Sequence, residues 1–186
     1  MLQEYSYNKV NKDLTFLNDI YPVFAKKYPS HPYTKKVGEM LAGANKIKAG
    51  SHYIDFEAQT VTGETVKLSD SITGRVALID LWATWCGPCR GLNRNMIPVY
   101  EKYRSRGFVI IGVACEYKTT DAFRHVVKAE KYPWTNLVEL DNRNGIWSRY
   151  NLSAAGCTYL VDENGIIVAI HPDADELDRI LDKMLK

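Results

Sequence analysis

The sequence predicts an α/β fold: a central mixed sheet flanked by helices, with an added N-terminal β-hairpin and a helical N-terminal extension. Three observations carry that expectation. Two near-continuous apolar runs, Val76 to Trp82 and Phe108 to Cys115, have the pattern of strands buried on both faces, and each is followed by a helical stretch. Near the end, Thr158 to Val161 and Ile166 to Ile170 flank the turn Asp162-Glu-Asn-Gly165, a hairpin with glycine where positive φ is needed. Before Gly50 the apolar spacing is helical.

Residues 1–49 are the expected extension, with helices from about Val10 to Lys27 and Thr34 to Ile47. Leu14, Leu17, Ile20, Tyr21 and Phe24 recur at helical spacing in the first; Val37, Met40 and Leu41 do so in the second. Pro29, Ser30 and Pro32 break the two apart, so a helical hairpin laid against the main domain is expected. Residues 50–186 form that domain. Ile54, Phe56 and Ala58 alternate with polar residues, Thr62-Gly63 turns the chain, and Val66 and Leu68 alternate again, as in a β-hairpin. After the strand Val76 to Trp82 come a helix from Cys86 to about Arg104, the strand Phe108 to Cys115, and a helix from Thr120 to Glu130. That order implies parallel pairing through a right-handed crossover. Leu137 to Leu140 is a short strand, Asn144 to Tyr150 a short helix, and Asp173 to Lys186 an amphipathic helix carrying Leu177, Ile180, Leu181 and Met184.

With 186 residues the chain can hold one full-sized domain and a modest appendage, and 46% hydrophobic with 25% charged residues is the composition of an ordered globular protein. Its net charge of +2 excludes a strong field toward nucleic acid. The balance is uneven, +4 over residues 1–50 and −2 over the rest, which fits a solvated basic helix face. No stretch approaches the ~18 apolar residues of a membrane span. The start, Met-Leu-Gln-Glu-Tyr-Ser-Tyr, lacks the apolar centre of a signal peptide, so the residues alone describe a soluble, unexported chain.

The chemistry concentrates in Trp82-Ala-Thr-Trp-Cys-Gly-Pro-Cys-Arg90. A buried strand ends and a helix begins at this point, where unpaired N–H groups and the helix dipole stabilise a thiolate. Cys86 is therefore the expected nucleophile. Cys89, three residues on and on the same side of the first turn, can attack a mixed disulfide at Cys86 and release the reduced substrate. Pro88 fits a first turn in which its missing N–H costs nothing, and Gly87 leaves the sulfur approachable. A zinc site would need two further ligands, but Cys115, Cys157 and His171 are scattered singles, so no metal and no cofactor beyond the redox-active pair is expected. Asp80, a lone acid six residues before Cys86, admits two readings from the residues alone: a buried proton acceptor for Cys89, or an acid near a strand end reaching solvent.

From Gly50 to the C-terminus the sequence resembles the thioredoxin superfamily, and within it the TlpA/ResA-like thiol-disulfide oxidoreductases that share the AhpC/TSA-type domain. The resemblance rests on Ile54-Asp-Phe56, Asp80-Leu-Trp-Ala-Thr-Trp-Cys-Gly-Pro-Cys-Arg90, Gly107-Phe-Val-Ile-Ile-Gly-Val113, and Tyr150-Asn-Leu ahead of Leu160-Val-Asp-Glu-Asn-Gly165. It implies a thioredoxin-like fold and a reductant of protein disulfides, restored by an upstream dithiol donor. It also implies that Asp80 lies beneath the resolving cysteine and assists its proton transfer, and that Trp85 shields the sulfurs. The family's setting implies an extracytoplasmic, often periplasmic, protein tethered to a membrane outside this chain; a native start at Met1 would instead imply the cytoplasm.

Three positions depart from the family. Its cis-proline on the loop facing the cysteines falls, by counting back from Leu160-Val-Asp162, at Gly156. A cis bond before glycine costs roughly 2.5–4 kcal/mol, so a trans Ala155–Gly156 peptide and a different substrate-docking edge, Ala155 to Cys157, are expected. Cys157 is then either a third thiol facing Cys86 or a small buried residue opening a strand. Leu92 replaces the glutamate that many ResA-like proteins carry, and Arg94 stands where thioredoxin-like helices have a proline, with Pro98 one turn later. Two other functions share parts of this pattern. A thiol peroxidase of the AhpC/TSA group needs a lone peroxidatic cysteine, and a non-catalytic thioredoxin-like binding module would use the altered loop to hold a partner.

Overall fold

The computed structural model describes residues 7–152 and 156–186. Ala155, and the side chains of Leu14 and Met40, lie outside the described residues. In chain order the elements are α1 (Tyr7–Lys27), α2 (Pro32–Lys46), β1 (Glu57–Thr60), β2 (Thr65–Lys67), α3 (Leu68–Ile72), β3 (Ala77–Trp82) and α4 (Gly87–Tyr103). After a 3-10 turn at Arg104–Arg106 follow β4 (Val109–Glu116), α5 (Asp121–Glu130), β5 (Thr135–Leu140), α6 (Ile146–Arg149), β6 (Cys157–Val161), β7 (Ile167–Ile170) and α7 (Ala174–Met184).

The described strands form one mixed sheet in the order β2-β1-β5-β4-β3-β6-β7. β3, β4 and β5 run parallel, with β6 antiparallel to β3 and β1 antiparallel to β5. β3 and β4 are the apolar runs of the sequence, and their central positions follow from burial on both faces: every residue of β3 is buried, and all of β4 except Val109. The outer edge of β7 is covered by the chain entering the domain. Gly50 N–H donates to the Ile167 carbonyl at 2.8 Å, Ile167 N–H to Ser51 at 2.8 Å, and Tyr53 N–H to Gly165 at 3.0 Å.

Leu68 is not a strand residue. It opens α3, whose buried Leu68 and Ile72 are four apart and face the core together, so the alternation at Val66 and Leu68 ends one residue short of that expected. In the extension α1 packs on α2 through Gly38, where a β-carbon would lie 2.8 Å from Tyr21 Cζ. Ile47, just past α2, joins the main core, while Phe16, Val23 and Phe24 of α1 stay more than half exposed. No helix among the described residues is long and apolar enough to cross a membrane.

Candidate active site

β3 sits between β4 and β6, its buried residues packed on both faces, and delivers the reactive segment from a rigid base. At its end the chain turns, Cys86 N–H donating to the Ala83 carbonyl at 3.0 Å, and α4 starts with Cys86 as its N-cap. Cys86 Sγ accepts the Cys89 N–H at 3.3 Å, a bond that satisfies one of the free donors of the helix start. In the reduced state the same donor and the α4 dipole favour a thiolate at Cys86. Cys86 and Cys89 are joined as a disulfide, Cα atoms 5.3 Å apart, and both are buried. A β-carbon on Gly87 would meet nothing within 4 Å, so the chain beside Cys86 is open.

The Trp85 ring is 50% exposed and stands 5.9 Å from the buried ring of Trp147 on α6. α6 is itself held by Glu139, a buried carboxylate that accepts the Asn144 N–H at 2.7 Å and the Ile146 N–H at 3.2 Å. On the other flank Arg90 donates to Glu130 of α5, which also receives Arg94 at 3.1 Å and the Tyr132 hydroxyl at 2.5 Å. Arg94, at the position of the family's proline, thus ties α4 to α5.

Asp80 lies in the middle of β3, 2% exposed, opposite Gly112 on one side and Thr158 on the other. At that exposure it does not reach solvent, and burial pushes its carboxyl up to about 7. Asn93 tempers the rise, its amide close to the carboxyl without reaching hydrogen-bond geometry. Asp80 Oδ2, both polar atoms of the Asn93 amide and Thr158 Oγ1 are buried with no hydrogen-bond partner among the described residues. A carboxyl that burial raises to about 7 is thereby set among under-satisfied polar groups. Asn93 is missing from the candidates drawn from the sequence, yet a signal existed. It follows Cys89 by four residues and precedes Met96 by three, a polar residue on the buried face of α4. Thr158 and Glu116 were also missed, each a lone polar residue in an apolar strand.

Gly156 comes against the end of β3: a β-carbon there would fall 2.9 Å from Trp82 Cα and 3.0 Å from the Leu81 carbonyl carbon. Both contacts are backbone and cannot yield. The absence of a proline therefore goes with a close approach that admits only glycine. Cys157 opens β6 opposite Leu81, one residue out of phase with Asp80 and Thr158, so its side chain is on the other face of the sheet. Burial pushes its thiol up to about 11, and Cys115 likewise reaches about 11 through burial and the carboxylates of Glu139 and Glu116. Neither stands at a helix start, the position that Cys86 occupies.

The sequence profile described as the AhpC/TSA family matches residues 49–170. A thioredoxin-like protein of Bacillus subtilis, YneN, is 32% identical over 127 residues, spanning 67% of this chain and 72% of that protein. Thiol-disulfide oxidoreductase ResA of Oceanobacillus iheyensis is 29% identical over 141 residues, spanning 73% of this chain and 71% of its own length. Among solved structures, one from Chlorobium tepidum described as a thiol:disulfide interchange protein DsbE superposes with a TM-score of 0.62 at 31% identity, over 75% of this chain and 99% of that one. The thioredoxin domain of a Bacteroides vulgatus thiol-disulfide oxidoreductase gives a TM-score of 0.69 at 23% identity, over the same 75% of this chain and 99% of its own, and shares the fold.

Proposed function

We propose that this chain, which belongs to the AhpC/TSA family and is a TlpA/ResA-like thiol-disulfide oxidoreductase of the thioredoxin superfamily, works as a net reductant of protein disulfides through Cys86 and Cys89. The observation that carries this reading is the placement of the pair: Cys86 caps a helix start beside an open approach, and a buried acid, Asp80, lies in the strand that leads to it. The Cys86 thiolate attacks one sulfur of a substrate disulfide, forming a mixed disulfide and expelling the other sulfur as a thiolate. Asp80 takes the proton of Cys89. The Cys89 thiolate then attacks Cys86 Sγ, closing the Cys86–Cys89 disulfide and releasing the second substrate sulfur. Two electrons pass to the substrate, whose two thiolates take up the proton held by Asp80 and the one that Cys86 gave to solvent on ionising, and a dithiol donor restores the pair.

Gly87-Pro88 between the cysteines is the pairing that the family resemblance associates with strongly reducing thioredoxins. Partners are accordingly proteins carrying accessible disulfides, together with one upstream dithiol protein. They meet an edge formed by Trp85, Gly87 and the loop at Gly156. We place the work in an extracytoplasmic compartment, with tethering supplied from outside this chain, and residues 1–49 as a helical hairpin extension of the thioredoxin-like domain of residues 50–186. The test of direction is the reduction potential of the pair at equilibrium with glutathione. A value near that of thioredoxin, about −270 mV, is expected; one near that of DsbA, about −120 mV, would make the protein an oxidant and overturn the reading.

A further inference from the structure

The ladder between β3 and β4 ends at Trp82 opposite Ala114, yet β4 continues two residues further, to Glu116. Continued in register, Thr84, two residues past Trp82, would fall opposite Glu116, and the carboxylate of Glu116 takes the place of the missing strand partner. Its Oε1 accepts the Thr84 N–H at 2.7 Å and its Oε2 accepts the Thr84 hydroxyl at 2.8 Å. Glu116 is 4% exposed, and among the described residues it makes no ion pair. Both oxygens accept from donors, the pattern of an ionised carboxylate. Thr84 lies two residues before Cys86 in the turn that the Cys86 N–H closes on Ala83.

We propose that Glu116 is a positioning residue of the redox centre. It locks the Thr84 turn that carries Cys86, and its fixed negative charge beside that turn opposes the Cys86 thiolate and holds the couple toward the disulfide, so that the pair reduces more strongly. The reasoning is electrostatic. A helix start and its free N–H groups favour a thiolate and hence the reduced form, the trend that makes a centre oxidising. A carboxylate held in a dry setting acts in the opposite sense, with little screening by salt. The other ionisable groups around the turn do not duplicate it: Asp80 lies in the middle of β3, six residues before Cys86, and Arg90 is engaged by Glu130.

The inference rests on Cys86 as the nucleophile, and its test compares variant with parent, so it reads out whichever absolute potential the parent has. In the full chain, Glu116→Gln keeps the shape and an acceptor for Thr84 while removing the charge. Equilibrium is set against glutathione, two glutathione thiols giving two electrons and two protons to the Cys86–Cys89 disulfide and leaving as glutathione disulfide. Thiolate formation at Cys86 is followed in parallel by ultraviolet absorbance. Glu116→Gln is expected to shift the equilibrium about threefold to tenfold toward the dithiol, tenfold being about 30 mV for this two-electron couple. It should also let the Cys86 thiolate form at lower pH. Thr84→Val, which keeps the charge and loses one hydrogen bond, is expected to lower the melting temperature without that shift. An equilibrium and thiolate titration in Glu116→Gln equal to the parent's would overturn the proposal, as would an equal shift toward the dithiol in Thr84→Val.

Discussion

Replacing Cys86 by serine is expected to reduce insulin-disulfide reduction to background. No other sulfur in the described chain can take over. Cys115 and Cys157 are both pushed up to about 11, which leaves about one thiol in ten thousand ionised at neutral pH. Cys115 is buried in β4, and Cys157 lies on the opposite face of the sheet from Asp80. Cys89 follows the N-cap by a turn and lacks the helix-start position that activates Cys86. The measurement is the initial rate of insulin reduction with dithiothreitol as donor. A rate in Cys86→Ser above a few parts in a thousand of the parent's would exclude Cys86 as the nucleophile.

Asp80→Asn is expected to trade activity for stability. Losing a positioned base costs roughly a hundredfold or more in a proton-dependent step, so resolution of the mixed disulfide by Cys89 should slow by that order near pH 7. The parent's resolution rate should rise through an inflection near pH 7 as Asp80 ionises, and the variant's should lack it. Stability moves the other way. Because the folded state holds the proton of Asp80 up to about pH 7 against 3.8 in the unfolded chain, the folded state binds protons more tightly over that interval. The contribution of Asp80 is thus most favourable below about pH 4 and is lost as pH rises through 7, where an ionised, under-satisfied carboxylate costs on the order of 4 kcal/mol. Denaturant unfolding should therefore find Asp80→Asn more stable than the parent at pH 8 and close to it at pH 4. Equal destabilisation at both pH values would contradict a raised, desolvated Asp80.

Local pattern made the strands β3 and β4, the β6–β7 hairpin and the redox segment legible, because each is written in consecutive residues: apolar runs, a turn with Gly165 at φ +78°, and two cysteines at a strand-to-helix junction. The place of β1 was not legible. It pairs antiparallel with β5 through Gln59 and Val138, a contact between distant residues that neither segment encodes alone. Leu68 and Ile72 show a different limit, since two apolar residues after an alternating stretch suit a strand end and a single helical turn equally. In the candidate site, the cysteine pair and Asp80 were legible and the polar groups packed around them were not. Asn93, Thr158 and Glu116 acquire meaning only from what is packed opposite them, Asp80 for the first two and Thr84 for the third. Gly156 was legible as a departure from a family pattern. Its cause, the backbone of Leu81 and Trp82 lying where a side chain would go, became visible only in three dimensions.

The division of labour between Cys86 and Cys89 is tested most directly by trapping. With Cys89→Ser the second attack cannot occur, so a disulfide-bearing protein substrate should remain covalently joined to the enzyme. Peptide mass spectrometry should place that bond on Cys86, and dithiothreitol should release it. Absence of an adduct, or an adduct carried by Cys157 in place of Cys86, would contradict the assignment of nucleophile and resolving thiol.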